Sequence, residues 1–354
     1  GGTAEIPVVG RQAYRVVVDE STLPEDATLA GSAEFEISAE SWRTDTARVP
    51  FFVGESQRVV QRGFDRWVQR ITDGLRFGVL ISMCALGLSL IFGTTGLTNF
   101  AHGEMVTFGA MVAYLLNNWM HIALAAPIAI AAGALLGFCM HRFGFDKLRK
   151  RGVGLISQMV ITIGISVFAK NLLLARFGGT AKPYRQYTNQ VASRYGPLVI
   201  TPRDLITALI SLVIIVGVAA TLQFTQLGKA TRAVSDNREL ANATGINTDK
   251  IVRSVWIAAG ALAAVGGIFR GMDESISWNM GGGLLFLMFS AITLGGLGNA
   301  YGALIGGIIV GLMVEMATLF GVPTELKTVP ALLMLVLILL VRPQGILGRA
   351  QRVG

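Results

Sequence analysis

From residue 72 onward the chain is a succession of apolar runs, at about 72–94, 103–118, 122–141, 153–175, 204–224, 251–271, 283–297, 302–320 and 328–342. Most approach the roughly 20 residues that carry an α-helix across ~30 Å of hydrocarbon, and few contain a charge. Nine helical spans are expected. The run 283–297 is short and flanked by glycine, which predicts a half-helix or re-entrant piece. Ahead of these runs the periodicity changes. "AYRVVVDE" and "AEFEISAE" alternate apolar and polar residues, "LPEDA" between them reads as a turn, and "ARVPFFVGE" follows. A period of two predicts strands. Residues 1–56 are therefore expected to form a small, β-sandwich-like domain, too short to bury a large core. With the opening "GGTAEI" lacking Met, missing N-terminal residues are expected too. Between the two parts, residues 57–71 place Arg58, Arg62, Arg66 and Arg70 four apart, opposite Val59, Val60, Phe64, Trp67 and Ile71. This is the pattern of an amphipathic interfacial helix, or of a solvated first turn of the next span. The fold class predicted is an all-α polytopic membrane protein behind a small N-terminal β domain.

Composition agrees with a bilayer. Of 354 residues 52% are hydrophobic, 15% are charged and 43 are Gly, and the mean hydropathy is +0.58. The formal charge of +8 does not point to nucleic acid, since Lys and Arg flank apolar spans and no basic run interleaves with aromatics. Lipid headgroups are the expected contact. Basic residues crowd "HRFGFDKLRKRG", residues 227–250 and "RPQGILGRAQRVG", which predicts these segments and the C-terminus as cytoplasmic and, with an odd number of spans, the N-terminal domain as outside. Against this orientation stand the arginines before the first span and Lys182, Arg185, Arg194 and Arg203. Cys84 and Cys139 both lie within apolar runs and read as packing residues.

"LTNFAHGEMVTFGA" (97–110) sets Asn99, His102 and Glu104 between two apolar runs. Aligning Gly103 with Gly302 pairs it with "GNAYGALIGG", so that Ala101 matches Ala300 and His102 matches Tyr301, with Asn299 beside it. An internal repeat of this kind places broken helices in corresponding halves, and unwound backbone at membrane depth must be buried in protein or line a watery path. Asn99, His102, Gly103, Glu104, Asn299 and Tyr301 are thus candidate translocation-path residues. Glu104 has two readings: a path carboxylate, because charge is expensive in lipid, or an acid in a first helical turn bonding backbone N–H groups. His102 is a hydrogen-bonded core residue or a proton shuttle. Lys170 and Glu315 are the other charges within spans, both near outer ends where snorkelling suffices. Gly302 with Gly306, and Gly307 with Gly311, have the small-xxx-small spacing of closely packed membrane helices.

Residues 227–249, "LGKATRAVSDNRELANATGINTD", predict a short helix capped by Ser235 or Asp236, with Leu240, Ala241 and Ala243 as a small apolar face and Gly245 as its stop. It reads as a docking knob for a partner groove or as an ordinary surface helix. "QLGKAT" lacks the first Gly of a phosphate loop, no nucleophile elbow occurs, and His102, His121 and His141 lack ligand spacing. No enzyme activity, metal or cofactor is expected.

"GLTNFAHGEMVTFGA", "GKATRAVSDNRELANATGINTDKI", "GGLGNAYGALIGGIIVGLMVE" and "RPQGILGR" together resemble, in order, the permease subunits of bacterial branched-chain amino-acid ABC importers, the first of the two permeases most of all. The resemblance covers about 75–349. It implies a plasma-membrane transport subunit (72–354) working with a second permease, cytoplasmic ABC ATPases and an extracytoplasmic substrate-binding protein. It also implies that the loop at 225–250 couples to the ATPases, with Gly228, Arg232, Asp236, Ala241 and Gly245 matching the family's motif. "AYRVVVDESTLPEDATL" resembles extracytoplasmic prealbumin-like domains that precede some actinobacterial permeases. Urea or short amides are the alternative substrates, and an ion-coupled carrier or a channel is the alternative of another class.

Overall fold

The computed structural model describes residues 8, 12–19, 34–37, 63–187, 192–342 and 345. The chain divides into two units, residues 1–62 and 63–354. In the first, β1 (Tyr14–Val17) pairs antiparallel with β2 (Glu34–Ile37), Tyr14 opposite Ile37 and Val17 opposite Glu34. Arg15 forms an ion pair with Glu34 across the ladder. The two strands lie within the alternating stretches, but among the described residues they form one ladder and not a sandwich, and the expected β domain is not shown. The stretch that follows them, 47–55, lies outside the described residues.

The second unit is helical: α1 (Phe64–Thr95), α2 (His102–Asn117), α3 (Ile122–Cys139), α4 (Asp146–Lys150), α5 (Leu155–Phe177), α6 (Pro202–Phe224), α7 (Gln226–Asp236), α8 (Arg238–Ala243), α9 (Thr248–Asp273), α10 (Met280–Gly295), α11 (Ala300–Met316) and α12 (Val329–Val341). A π-turn, Met140–Phe145, joins α3 to α4. A hairpin of β3 (Ser193–Tyr195) and β4 (Leu198–Ile200) precedes α6. Each of the nine apolar runs falls on a helix, but among the described residues seven helices are long and apolar enough to cross a bilayer. The expected count of nine spans is thereby reduced to seven, while 283–297, read as a short piece, lies on the short helix α10. α2 and α10 have 16 residues each, rising only about 24 Å.

For the 57–71 segment, the described residues fit the second of its two readings, a first turn of the next span. Its described part is the first turns of α1, and α1 continues unbroken through 32 residues, about 48 Å. Residues 57–62 lie outside the described residues. Trp67 meets Phe320 edge-on at 5.9 Å, and Gln69 bonds the backbone of Val199 on both sides of its amide. These contacts anchor the start of α1 to the bundle's own loops.

Both glycine pairs of α11 are used, on two faces. A Cβ on Gly302 or Gly306 would collide with the backbone of Gly295 or Ala291 in α10, and one on Gly307 or Gly311 with Ser82 or Gly78 in α1. In lipid, where apolar contact alone gives little preference for helix over solvent, such close approach is what holds the helices. α1 and α9 form the centre, 78% and 72% buried over their spans, whereas α5, α6 and α12 lie outside at 11%, 11% and 6%.

The bundle has two ends. At one, Ser235 Oγ donates to Gly93 O at 2.9 Å and Arg149 meets Asp249 at 2.7 Å, bringing α7 and α9 to the end of α1 and to α4. At the other, Arg70 pairs with Glu315, Asn117 with Gln186, and Arg76 with Asp204. The first holds residues 225–250, the segment expected to couple to the ATPases, and is the coupling-segment end.

Candidate functional site

α1 stops at Gly96, whose φ of 71° is left-handed. Its N–H closes the helix on Phe92 O at 2.7 Å. The chain then turns back alongside α1 without helix until His102, whose Nε2 donates to Cys84 O at 3.2 Å. Cys84 lies three turns before the end of α1, so α2 begins deep inside the bundle. Asn99 is fully buried and its Oδ1 accepts from Ala101 N, turning the backbone into the helix. The N-terminus of α10 meets that of α2: Thr107 Oγ1 accepts from Gly281 N at 3.0 Å, and a Cβ on Gly103 would lie 2.5 Å from Gly281 O. Two short helices thus start against each other; in the unwound segment ahead of α2, Leu97, Asn99 and Ala101 are buried, whereas Glu274 and Asn279 ahead of α10 are exposed.

The partner of Glu104 differs from the helix-capping reading. α2 has no side-chain cap. Glu104, 6% exposed, accepts through Oε1 from Ser166 Oγ on α5 at 3.2 Å, and Oε2 has no hydrogen-bond partner. α5 carries more than Ser166. Gln158, Thr162, Ser166 and Lys170 recur every four residues and form one stripe. Gln158 Nε2 donates to Val153 O, Thr162 Oγ1 accepts from Phe100 N, and Lys170 Nζ lies 5.0 Å from the Trp278 ring centre. A polar seam therefore runs along α5 from Gln158 to Lys170, and its middle members Thr162 and Ser166 meet the unwound segment and α2. Its four-residue spacing was present in the sequence and is the signal by which it could be found. Lys170, expected to snorkel, belongs to this seam.

Asn299 and Tyr301 lie elsewhere. Asn299 caps α11, its Oδ1 accepting from Tyr301 N and Gly302 N, while a Cβ on Gly298 would meet Gly93 at 3.0 Å. This is the coupling-segment end. Tyr301 Oη donates to Gln223 Oε1 at 2.9 Å, and Arg232 Nη1 donates to the same oxygen at 3.3 Å. The six residues grouped as one path therefore separate: Asn99, His102, Gly103 and Glu104 are together, and Asn299 and Tyr301 stand by the coupling segment.

That segment is two helices. Thr225 Oγ1 accepts from Gly228 N and caps α7, and Gly228 sits so close to the end of α6 that a Cβ would come 2.2 Å from Leu222 O. Asp236 is the exposed last residue of α7. α8 is capped by Asn237, whose Oδ1 accepts from Leu240 N at 2.9 Å, rather than by Ser235 or Asp236. Ser235 is already engaged with Gly93. Gly245, with φ 87°, ends α8: Ile246 N donates to Ala241 O at 3.0 Å and Gly245 N to Asn242 O at 3.1 Å, the pair of bonds of a Schellman stop. The expected apolar face splits, for Ala241 is buried against the bundle while Leu240 is 62% exposed. Asp249 joins Arg238 at 3.0 Å and Arg149 at 2.7 Å. Burial and the neighbouring Arg149 hold the Arg238 guanidinium below its usual value, with Asp249 opposing them.

Among the described residues no group of three His, Cys, Asp or Glu could hold a metal ion. The chain is 28% identical over 302 residues to LivH, a permease protein of the high-affinity branched-chain amino acid transport system of Escherichia coli K12, covering 80% of this chain and 96% of that protein. It is 29% identical over 304 residues to BraD of Pseudomonas aeruginosa, a permease protein of the same kind of system, covering 80% and 97%. A fructose import permease of Bifidobacterium longum, FruF, is 26% identical over 263 residues, covering 69% and 68%. No solved structure matches. The family described as branched-chain amino acid transport system / permease component matches residues 70–339, most of the chain, and the protein belongs to that family of multi-pass membrane permeases.

Proposed function

We propose that the seam between the unwound segment 96–101, Glu104 and the α5 stripe lines the import path for branched-chain amino acids, and that α7 and α8 transmit ATPase movement to it. The observation that carries this reading is the unwound segment itself: bare backbone at this depth is tolerated where it lines a path, and a carboxylate beside it is costly unless used. The segment is joined to the coupling helices by Ser235 and Gly93, a few residues from where α1 ends. The sparsely covered α5 and α6 are suited to a second permease. LivM, a second permease protein of the E. coli branched-chain amino acid system, is itself 25% identical to this chain. The chain works in a bacterial plasma membrane with cytoplasmic ATPases at α8 and a binding protein delivering substrate opposite. Leucine uptake into ATP-loaded proteoliposomes holding the chain with its partner subunits tests the reading. Uptake with ATP alone is expected, and its absence for leucine, isoleucine and valine would sink it.

Orientation has its own test. In a Cys139→Ser background, Glu325→Cys is expected to react with a membrane-impermeant maleimide in intact cells, and Glu239→Cys only after permeabilisation. The reverse pattern would turn the molecule over.

Gly245→Val tests coupling. A side chain at left-handed φ costs roughly 1–2 kcal/mol, more for a β-branched residue, so the Schellman stop opens and Leu240 loses its fixed position. The expected result is normal membrane abundance with uptake reduced severalfold and ATPase co-purification weakened. Wild-type uptake would remove α8 from the coupling path.

A further inference from the structure

Phe100 of the unwound segment and Phe289 of α10 meet edge to face, with ring centres 5.2 Å apart and planes at 61°. Both are half-buried, whereas Asn99, Ala101 and Met288 beside them are 0–1% exposed. The pair therefore lies at the margin of the packed core. Its depth follows from α5. Phe100 N donates to Thr162 Oγ1, and Glu104 accepts from Ser166 Oγ, one turn and about 6 Å farther along the helix. α5 starts at the coupling-segment end, where Leu155 Cδ1 would lie 3.4 Å from a Cβ on Gly96. Phe100 is thus anchored about one helical turn nearer to that end than Glu104.

The elements that carry the two rings meet again at one place. Gly93, in the last turn of α1, accepts from Ser235 of α7, and a Cβ on it would lie 3.0 Å from Gly298 O in the turn after α10. From this junction the chain reaches Phe100 in seven residues, past the Gly96 stop, and Phe289 stands nine residues before Gly298. One ring hangs from unwound backbone and the other from a helix, so a displacement of α7 at the junction shifts them relative to each other.

We propose that Phe100 and Phe289 are the cytoplasmic gate of the import path, closed as they stand here and parted when α7 moves. The inference rests on the path and orientation argued above, and adds the residues that seal that path. An apolar constriction suits the task. While shut it offers no partner to the charged ends of an amino acid, whose desolvation is then uncompensated, and it excludes water by dewetting. An aromatic pair holds only modestly beyond the area it buries, so it can part in every cycle.

The assembled importer in proteoliposomes carries the test. With Phe100→Cys and Phe289→Cys in a Cys139→Ser background, a short, reducible bifunctional thiol reagent is expected to bridge the pair. The yield is expected to change severalfold between nucleotide-free protein and protein trapped with ATP and vanadate. Bridging should stop leucine uptake, and reduction of the bridge should restore it. In the state of higher yield, where the rings form the barrier, Phe289→Ala is expected to leak preloaded leucine roughly two- to tenfold faster than the parent, the factor that one aromatic pair is worth. Phe289→Leu, which keeps much of the bulk, should leak less than Phe289→Ala. Phe286→Ala, one turn away on α10 and 53% exposed, should seal like the parent. A yield indifferent to nucleotide, a bridged protein that still imports, or Phe289→Ala as tight as the parent would each overturn the gate. So would an equal leak from Phe286→Ala, since loosened packing would then account for both. A protein whose bridge responds to nucleotide while the parent imports no leucine with ATP would overturn the substrate reading and leave the gate standing.

Discussion

Arg76→Leu is expected to deplete the membrane of folded protein. Arg76 of α1 reaches Asp204 of α6 at 2.5 Å and Asp273 of α9 at 3.8 Å, and Arg203 reaches the same two carboxylates at 3.2 and 3.9 Å. Two cations balance two anions, and the side chains of Arg203, Asp204 and Asp273 are only 10–13% exposed. Removing one cation leaves a net negative charge there. Breaking a buried pair costs about 3–5 kcal/mol, and the lower end applies because Arg76 is 27% exposed. Against a total stability on the order of 5–15 kcal/mol, that is a large share. α6 feels it most, since its flank is otherwise little covered and Asp204 also closes its capping box with Thr201. Arg76→Lys should retain much of the protein, and Asp273→Asn in the Arg76→Leu background should recover part of it by removing the orphaned charge. Membrane abundance and thermal unfolding in detergent read the result. An Arg76→Leu protein as abundant and heat-stable as the parent would mean that water screens the cluster.

Nothing in the sequence pointed to that cluster, because Arg76 lies 127 residues before Arg203 and Asp273 lies 69 after Asp204, and each alone reads as a charge at a span end. Long apolar runs were legible because burial in lipid requires length, and length is visible. Depth was not: 103–118 reads as a full span, but α2 starts beside Cys84 because Gly96 turns the chain back and Asn99 re-nucleates the helix well inside the bundle. The pairing of Gly103 with Gly302 matched residues of similar local chemistry, each near an Asn that accepts from the N–H two residues on. Their places in space differ, since Gly103 packs on Gly281 and Gly302 on Gly295. The stop at Gly245 was readable from one residue because a left-handed helix stop favours glycine, whereas its cap was misread: Asn237, Asp236 and Ser235 are all good caps, and Ser235 is taken by a carbonyl 142 residues away. The α5 stripe was hidden by mild polarity, three of its four members being uncharged.

Glu104→Gln is expected to fold at least as well as the parent and to lose most leucine uptake. The carboxylate takes one hydroxyl bond, from Ser166, and no hydrogen bond at Oε2. A side-chain amide keeps the acceptor, and Ser166 can otherwise turn to the carbonyl one helical turn back, as Ser does within helices. The hydrogen bonds therefore do not require the charge, whose place in the first turn of α2 is worth about 0.3–1 kcal/mol, while an ionised group near mid-bundle costs at least about 2.5 kcal/mol on the insertion scale. What the charge can serve is the ammonium of a passing amino acid, with Lys170 one turn beyond Ser166 on the same stripe available to its carboxylate. Glu104→Leu is accordingly expected to assemble with its ATPases and to transport no better than Glu104→Gln. Uptake in ATP-loaded proteoliposomes without an ion gradient separates this from a titrating carrier. Robust parent uptake that an uncoupler leaves unchanged, lost about tenfold or more in Gln, as for one charged contact, is the expected outcome. Near-parent uptake in Glu104→Gln would make the carboxylate dispensable, and parent uptake that collapses with the uncoupler while ATP is clamped would make Glu104 a proton carrier instead.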